Sequence, residues 1–157
     1  MQEFVWNKSQ RIVFELSSAS GILLFRETSA VACAYGSRLL QQPVRRDIYA
    51  EKYKGISLIL QVLTCALSGG YVNFGVFALY DDKALQNAMD ISLQLCLTIP
   101  AEDVMTYMKL SRSYFAYLEV LFNHHLDVMC GLDSPVFMRL VKTVHEGLQS
   151  SGKILLW

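Results

Sequence analysis

The chain has 157 residues, 53% of them hydrophobic and 18% charged, with fourteen Lys plus Arg balancing fourteen Asp plus Glu. A disordered tail needs low hydrophobicity and high net charge, so that class is excluded. Zero net charge supplies no broad field for phosphates, which argues against a general nucleic-acid binder. Three Pro and nine Gly exclude collagen-like or low-complexity sequence. The length fits one domain. So apolar a chain is either very well packed or buries surface against something else.

The N-terminus, Met1-Gln2-Glu3-Phe4, has no basic stretch followed by an apolar core, so no secretory signal is expected. The sequon Asn7-Lys8-Ser9 is then a chance match. A first helix is predicted from about Ser20 to Leu40, with Leu24, Val31, Tyr35 and Leu39 inward and Pro43 beyond its end. Arg45-Arg46 follows in a polar connection. A surface loop is the plain reading, and an acidic partner surface is the functional one. The next helix is predicted from about Asp47 to Ser68, because Tyr49, Tyr53, Ile56, Leu60, Leu63 and Leu67 recur at spacings of three and four. Asp47 suits the N-cap, and Gly69-Gly70 the stop.

Gly55 to Tyr80 carries no charge and is long enough to span a bilayer. Ser57, Gln61, Thr64, Ser68 and Asn73 interrupt it, so a buried helix plus a turn is preferred and no membrane insertion is expected. Gly70 to Tyr80 is either a short extended piece or an irregular one. Its aromatics Tyr71, Phe74, Phe77 and Tyr80 read as core under a kinked connection or as a peptide-binding hot spot.

A further helix follows Asp81 and stops before Pro100. A long one is predicted from about Tyr107 to Cys130, with Leu110, Tyr114, Leu118, Leu121, His125 and Val128 on one stripe and Gly131 closing it. The last starts at Asp133-Ser134-Pro135 and reaches about Gln149. Short connections make successive helices antiparallel. Such pairs suggest a repeat of about 40–47 residues, the HEAT or armadillo period, with a compact bundle as the alternative.

Catalytic patterns are absent: there is no phosphate loop, dinucleotide fingerprint or nucleophile elbow, and no cofactor is expected. Cys33, Cys65, Cys96 and Cys130 form no C-x-x-C pair and read as small buried hydrophobes in a reducing compartment. His124-His125 with Asp127 and Cys130 is the best metal-like cluster. Adjacent helical residues point about 100° apart, so no metal site is expected. Asp81, Asp82, Asp103 and Asp133 sit at predicted helix starts, where capping explains them.

Five segments carry a resemblance: KSQRI (Lys8–Ile12), GILLFRETS (Gly21–Ser29), KGIS (Lys54–Ser57), ALSGGYVNFGVFALY (Ala66–Tyr80) and KLSRSYFAYLEVL (Lys109–Leu121). In order and spacing they resemble the exportin seven and Ran-binding protein seventeen branch of the importin-β superfamily, with the Ran-binding protein seventeen side the nearer. The resemblance implies an all-α solenoid of HEAT-like antiparallel helix pairs, two to three of them, over residues 1–149 and late in a longer receptor. It implies a nuclear export receptor shuttling between nucleus and cytoplasm. The intact receptor's partners would be Ran–GTP, protein cargo and the phenylalanine–glycine repeats of the nuclear pore. The amino-terminal Ran-binding repeats have no counterpart in these segments. Arg45, Arg46, Tyr71, Phe74, Phe77 and Tyr80 are the candidate interaction surface. Residues 150–157 depart from the pattern and read as a divergent tail outside the repeats, and both ends read as truncated. The alternative is a generic helical-repeat scaffold for protein interaction, without transport.

Overall fold

A computed structural model describes the backbone of residues 2–43, 46–68, 70 and 72–154, and the side chains of 19–149 within those ranges. The elements are α1 (Gln2–Gln41), a π-helical turn (Tyr49–Tyr53) running into α2 (Lys54–Ser68), α3 (Gly75–Leu79), α4 (Ala84–Thr98), α5 (Ala101–Thr106), α6 (Met108–His124), α7 (Leu126–Cys130) and α8 (Ser134–Ile154). Among the described residues there is no strand, and the 70–80 segment holds the short helix α3. No helix among them is long and apolar enough to cross a membrane.

The expected cap is present. Asp47 Oδ1 accepts the backbone N–H groups of Tyr49 and Ala50 at 2.9 and 3.2 Å, satisfying donors that a helix start leaves free. Tyr53, Ile56, Leu60, Leu63 and Leu67 are buried as one face of the second helix. Just ahead of α4, Asp82 Oδ1 accepts the N–H of Ala84 at 2.9 Å. Its Oδ2 meets Arg26 Nε at 3.1 Å, which ties this start to α1. The preceding Asp81 adopts a left-handed backbone, φ 52°, a conformation Asp tolerates better than bulkier residues do.

Three expectations require correction. First, α1 starts at Gln2 instead of Ser20, and of its four predicted inward residues only Leu39 is buried. Leu24, Val31 and Tyr35 are exposed, while Phe25, Ser29, Ala32 and Gly36 face inward. Second, the long helix expected from Tyr107 to Cys130 is α6 and α7, broken at His125. The buried imidazole places Nε2 3.4 Å from the Leu67 carbonyl and meets the Phe74 ring edge-on at 5.2 Å. The break thus falls at the residue that makes this contact. Third, α8 continues to Ile154, five residues past its predicted end.

Helix directions separate a stacked array from an up-and-down bundle. α1 and α2 are antiparallel, since Gly55 lies against Tyr35 and Leu39. α4 runs parallel to α1: Ser29 Oγ donates to the Ala84 carbonyl at 2.6 Å, and Gly36 lies against Ile91 and Leu95. α6 runs parallel to α2: Ser57 and Ser113 hydroxyls meet at 2.7 Å, and farther along Leu67 meets His125. α6 and α8 are again antiparallel, with Phe122 against Phe137 and Phe115 against Gly147. The pair α4/α6 therefore repeats the pair α1/α2 by translation, and α8 opens a third unit. Adjacent helices in a bundle with short links alternate direction instead. The chain is thus an all-α solenoid segment. Its bonded partners across the seam stand 50 to 58 residues apart. This exceeds the expected 40–47 because α3 and α5 lengthen the connections.

Candidate interaction surfaces

The seam between units is built from small and hydroxyl-bearing side chains. Ser57, Ser113 and Gln61 form one network, with Gln61 Nε2 donating to Ser113 Oγ at 2.8 Å and Ser113 donating to the Lys109 carbonyl at 2.9 Å. Tyr53 donates its phenol to Asp103 Oδ2 at 2.5 Å. Burial, and then this carboxylate, raise the Tyr53 phenol above its ordinary range. Between α4 and α6 the hydroxyls of Ser92 and Tyr117 bond to each other in the core, and Tyr117 lies 3.8 Å from Met89 Sδ. Among the described residues no buried side-chain polar atom lacks a partner. Satisfied bonds of this kind fix which residues face each other across a seam, a job apolar contacts do loosely.

The predicted surface residues do not converge. Phe77 is 2% exposed and belongs to the core. Phe74 is half-buried, packed against Phe25, Phe77 and His125 with ring centroids 5.1 to 6.2 Å apart. These two are core, which corrects the hot-spot reading for them. Tyr80 is 77% exposed, and Arg46 is exposed on the connection before the second helix. Arg45 and Tyr71 lie outside the described residues. His124 is exposed and His125 buried, so the pair points to opposite sides. Burial lowers the His125 pKa below the ordinary imidazole value, against smaller raising effects of the Leu67 carbonyl and Asp127. Of the four cysteines only Cys96 is buried, its thiol pushed up to about 12 by that burial; Cys65 and Cys130 are exposed.

Sequence reasoning missed two apolar grooves. One, of about 320 Å³, lies between α1 and α2 and is lined by Val31, Tyr35, Leu58 and Val62. The other, of about 390 Å³, lies between α6 and α8 and is lined by Phe115, Leu118, Phe122, Val144 and Leu148, with Glu119 at its wall. Leu24, Val31 and Tyr35 did register as an apolar stripe, and only the side they occupy was misread.

The fold is a segment of a helical-repeat solenoid, and its relatives give that class a branch. It is 47% identical to Exportin-7-B of Xenopus laevis over 150 residues, covering 94% of this chain and 14% of that protein. It is 41% identical to Ran-binding protein 17 of Homo sapiens over 157 residues, covering 99% of this chain and 14% of the relative. Exportin-7 of Dictyostelium discoideum is 37% identical over 151 residues, covering 96% of the chain and 15% of the relative. The chain is thus related over nearly its whole length to the exportin 7 and Ran-binding protein 17 branch that its motifs resemble. Among these three, identity is highest on the exportin-7 side, against the preference drawn from the motifs. The chain spans about one seventh of the length of these relatives. No family model and no solved structure matches it.

Proposed function

We propose that this chain serves as a segment of a nuclear export receptor, contributing stacked helix pairs to a carrier of protein cargo. The observation that carries the reading is the 47% identity to Exportin-7-B across 94% of the chain. In this reading the intact receptor binds Ran in its GTP form together with cargo. It passes the nuclear pore through weak contacts with phenylalanine–glycine repeats, and it moves between nucleus and cytoplasm. The chain performs no reaction of its own: its work is selective binding, and any nucleotide hydrolysis belongs to Ran. Residues 1–149 act as the repeat segment, together with the end of α8, which runs on to Ile154. Arg46 and Tyr80 are the described members of the predicted surface that remain available to a partner.

The direct test is a pull-down of purified chain with GTP-loaded and GDP-loaded Ran. Preference for the GTP form supports a Ran contact within this segment. Equal or absent binding to both forms removes that contact from this segment and leaves cargo or scaffold contacts. Retention on immobilised phenylalanine–glycine repeats tests the pore role in the same preparation. The second reading is a helical-repeat scaffold without transport. The grooves at α1/α2 and α6/α8 favour it, because apolar surface of this kind binds proteins whether or not Ran takes part.

A further inference from the structure

Three basic side chains collect on the solvent side of the seam between α2 and α6. These helices run parallel, and the Ser57 hydroxyl donates to the Lys109 carbonyl at 3.3 Å, which sets Lys109 level with the first turn of α2. Gln61 marks the open side of the seam: it is exposed, yet its amide reaches Ser113 at 2.8 Å. Lys54 precedes Gln61 by two helical turns and lies on the same stripe. Arg112 follows Lys109 by one turn. Lys54, Lys109 and Arg112 are all exposed. The described ion pairs join Arg26 to Asp82, Lys83 to Asp81 and Lys142 to Glu146, and among the described residues these three cations have none. The nearby acids are occupied or displaced. Asp47 caps the π-helical turn, Asp103 accepts the Tyr53 phenol, and Glu51 is half-buried with a contact of its own. Glu102 belongs to α5, and Glu119 lies two turns beyond Arg112, about 10 Å along the helix. Local stability gives no reason for the arrangement. Like charges one turn apart repel. Lys109 and Arg112 also lie in the first two turns of α6, where the helix dipole disfavours cations and the first turn holds no acid.

We propose that this face binds an acidic peptide segment of a partner protein. Packed helices stand about 8–10 Å apart and an extended chain rises about 3.3 Å per residue, so about four to six residues cross from Lys54 to Arg112. Two or three carboxylates in that span meet the cations, and the Arg112 guanidinium can hold one of them with two bonds. This is recognition of an acidic motif by clustered basic side chains. A nucleic acid fits less well, because it needs a longer basic track than three cations bounded by Glu119. Both helices belong to units packed within this chain. A neighbouring pair in the array lies beside α1/α2 or α6/α8, as α4/α6 lies beside α1/α2, and leaves this face open. The inference stands whether or not the chain binds Ran.

Fluorescein-labelled hexaglutamate is the probe, titrated with the full 157-residue chain and followed by anisotropy at low salt. Saturable binding is expected, weakened about tenfold by each of Lys54→Glu, Lys109→Glu and Arg112→Glu. Lys142→Glu on α8 changes the net charge by the same amount and should leave the affinity within about twofold. All four positions are exposed, so the variants keep the fold, which circular dichroism verifies. A carbodiimide, which joins carboxylates to amines, should attach the peptide at Lys54 and Lys109 ahead of the other lysines. No saturable binding, equal weakening by Lys142→Glu, or indifference to Lys54→Glu overturns the proposal. So does tighter binding of a labelled oligothymidylate of matched charge, which would make a nucleic acid the ligand.

Discussion

Gly36→Ala probes the parallel α1–α4 seam that defines this architecture. Alanine is normally the better helix former, by about 1 kcal/mol. On a free helix the substitution would stabilise. Here the added Cβ would lie 2.6 Å from Ile91 Cγ1 and 3.3 Å from Ile91 Cδ1 and Leu95 Cδ1. Ordinary carbon contacts begin near 3.5 Å, so Ile91 must retreat by about 1 Å. Its side chain sits in the core, and overpacking at such sites costs about 1–3 kcal/mol. The two effects oppose, and the steric one wins: net destabilisation of about 1–2 kcal/mol is expected, or a fall in melting temperature of about 2–8 °C for a domain of this size. Urea and thermal unfolding of Gly36→Ala alongside Gly70→Ala supply the comparison, since a Cβ at Gly70 meets nothing within 4 Å. Combining Gly36→Ala with Ile91→Ala should show favourable coupling, because the truncated partner makes room. A Gly36→Ala chain as stable as the parent would refute the close parallel stacking of α1 on α4.

Other outcomes follow from the buried polar groups and thiols. Ser92→Ala should cost more than Tyr117→Phe. Losing the phenol leaves Ser92 bonded to the Ala88 and Met89 carbonyls at 2.7 and 2.8 Å, whereas losing Ser92 leaves Tyr117 facing the weak acceptor Met89 Sδ. The expected losses are about 1 and about 2 kcal/mol for Tyr117→Phe and Ser92→Ala, and the reverse order in urea titrations would sink the argument. The folded pKa of His125 is depressed by burial, so the unfolded chain takes up this proton first as pH falls. Its contribution to stability is intact above about pH 6.5 and declines as pH drops from there to the folded value. Stability measured between pH 7.5 and 5 should therefore fall less steeply in His125→Gln, and an unchanged slope would count against it. Thiol labelling followed by mass spectrometry should modify Cys65 and Cys130 quickly and Cys96 only on unfolding. Early modification of Cys96 would contradict its burial.

How much of this was legible in the sequence depended on how many sides of each helix are covered. The second helix has one strong apolar face and a side-chain cap. Its bounds, its cap at Asp47 and its buried residues Tyr53, Ile56, Leu60, Leu63 and Leu67 follow from spacing alone. α6 is nearly as clear through Leu110, Tyr114, Leu118 and Leu121. α1 carries apolar residues on two sides: Phe25 and Leu39 are covered, while Leu24, Val31 and Tyr35 are on the side left open. The covered side meets α4 through Ser29 and Gly36, whose small size permits contact but leaves little hydropathy to read. The aromatic run left two readings open, core or interface, and for Phe74 and Phe77 the core reading holds, since both pack against Phe25.

Local chemistry by itself determined that the chain is helical, where the second helix and α4 begin and stop, and which branch its motifs resemble. These depend on spacing, capping and turn residues, all readable within a few positions. Tertiary structure decided the parallel stacking of units, the break at His125 and the two open grooves. The stacking and the break depend on partners some 50 to 58 residues away, and the grooves on side chains that two helices bring together. Whether an apolar face ends up covered or exposed is settled by the helix that arrives against it, and the periodicity of one helix holds no record of that arrival.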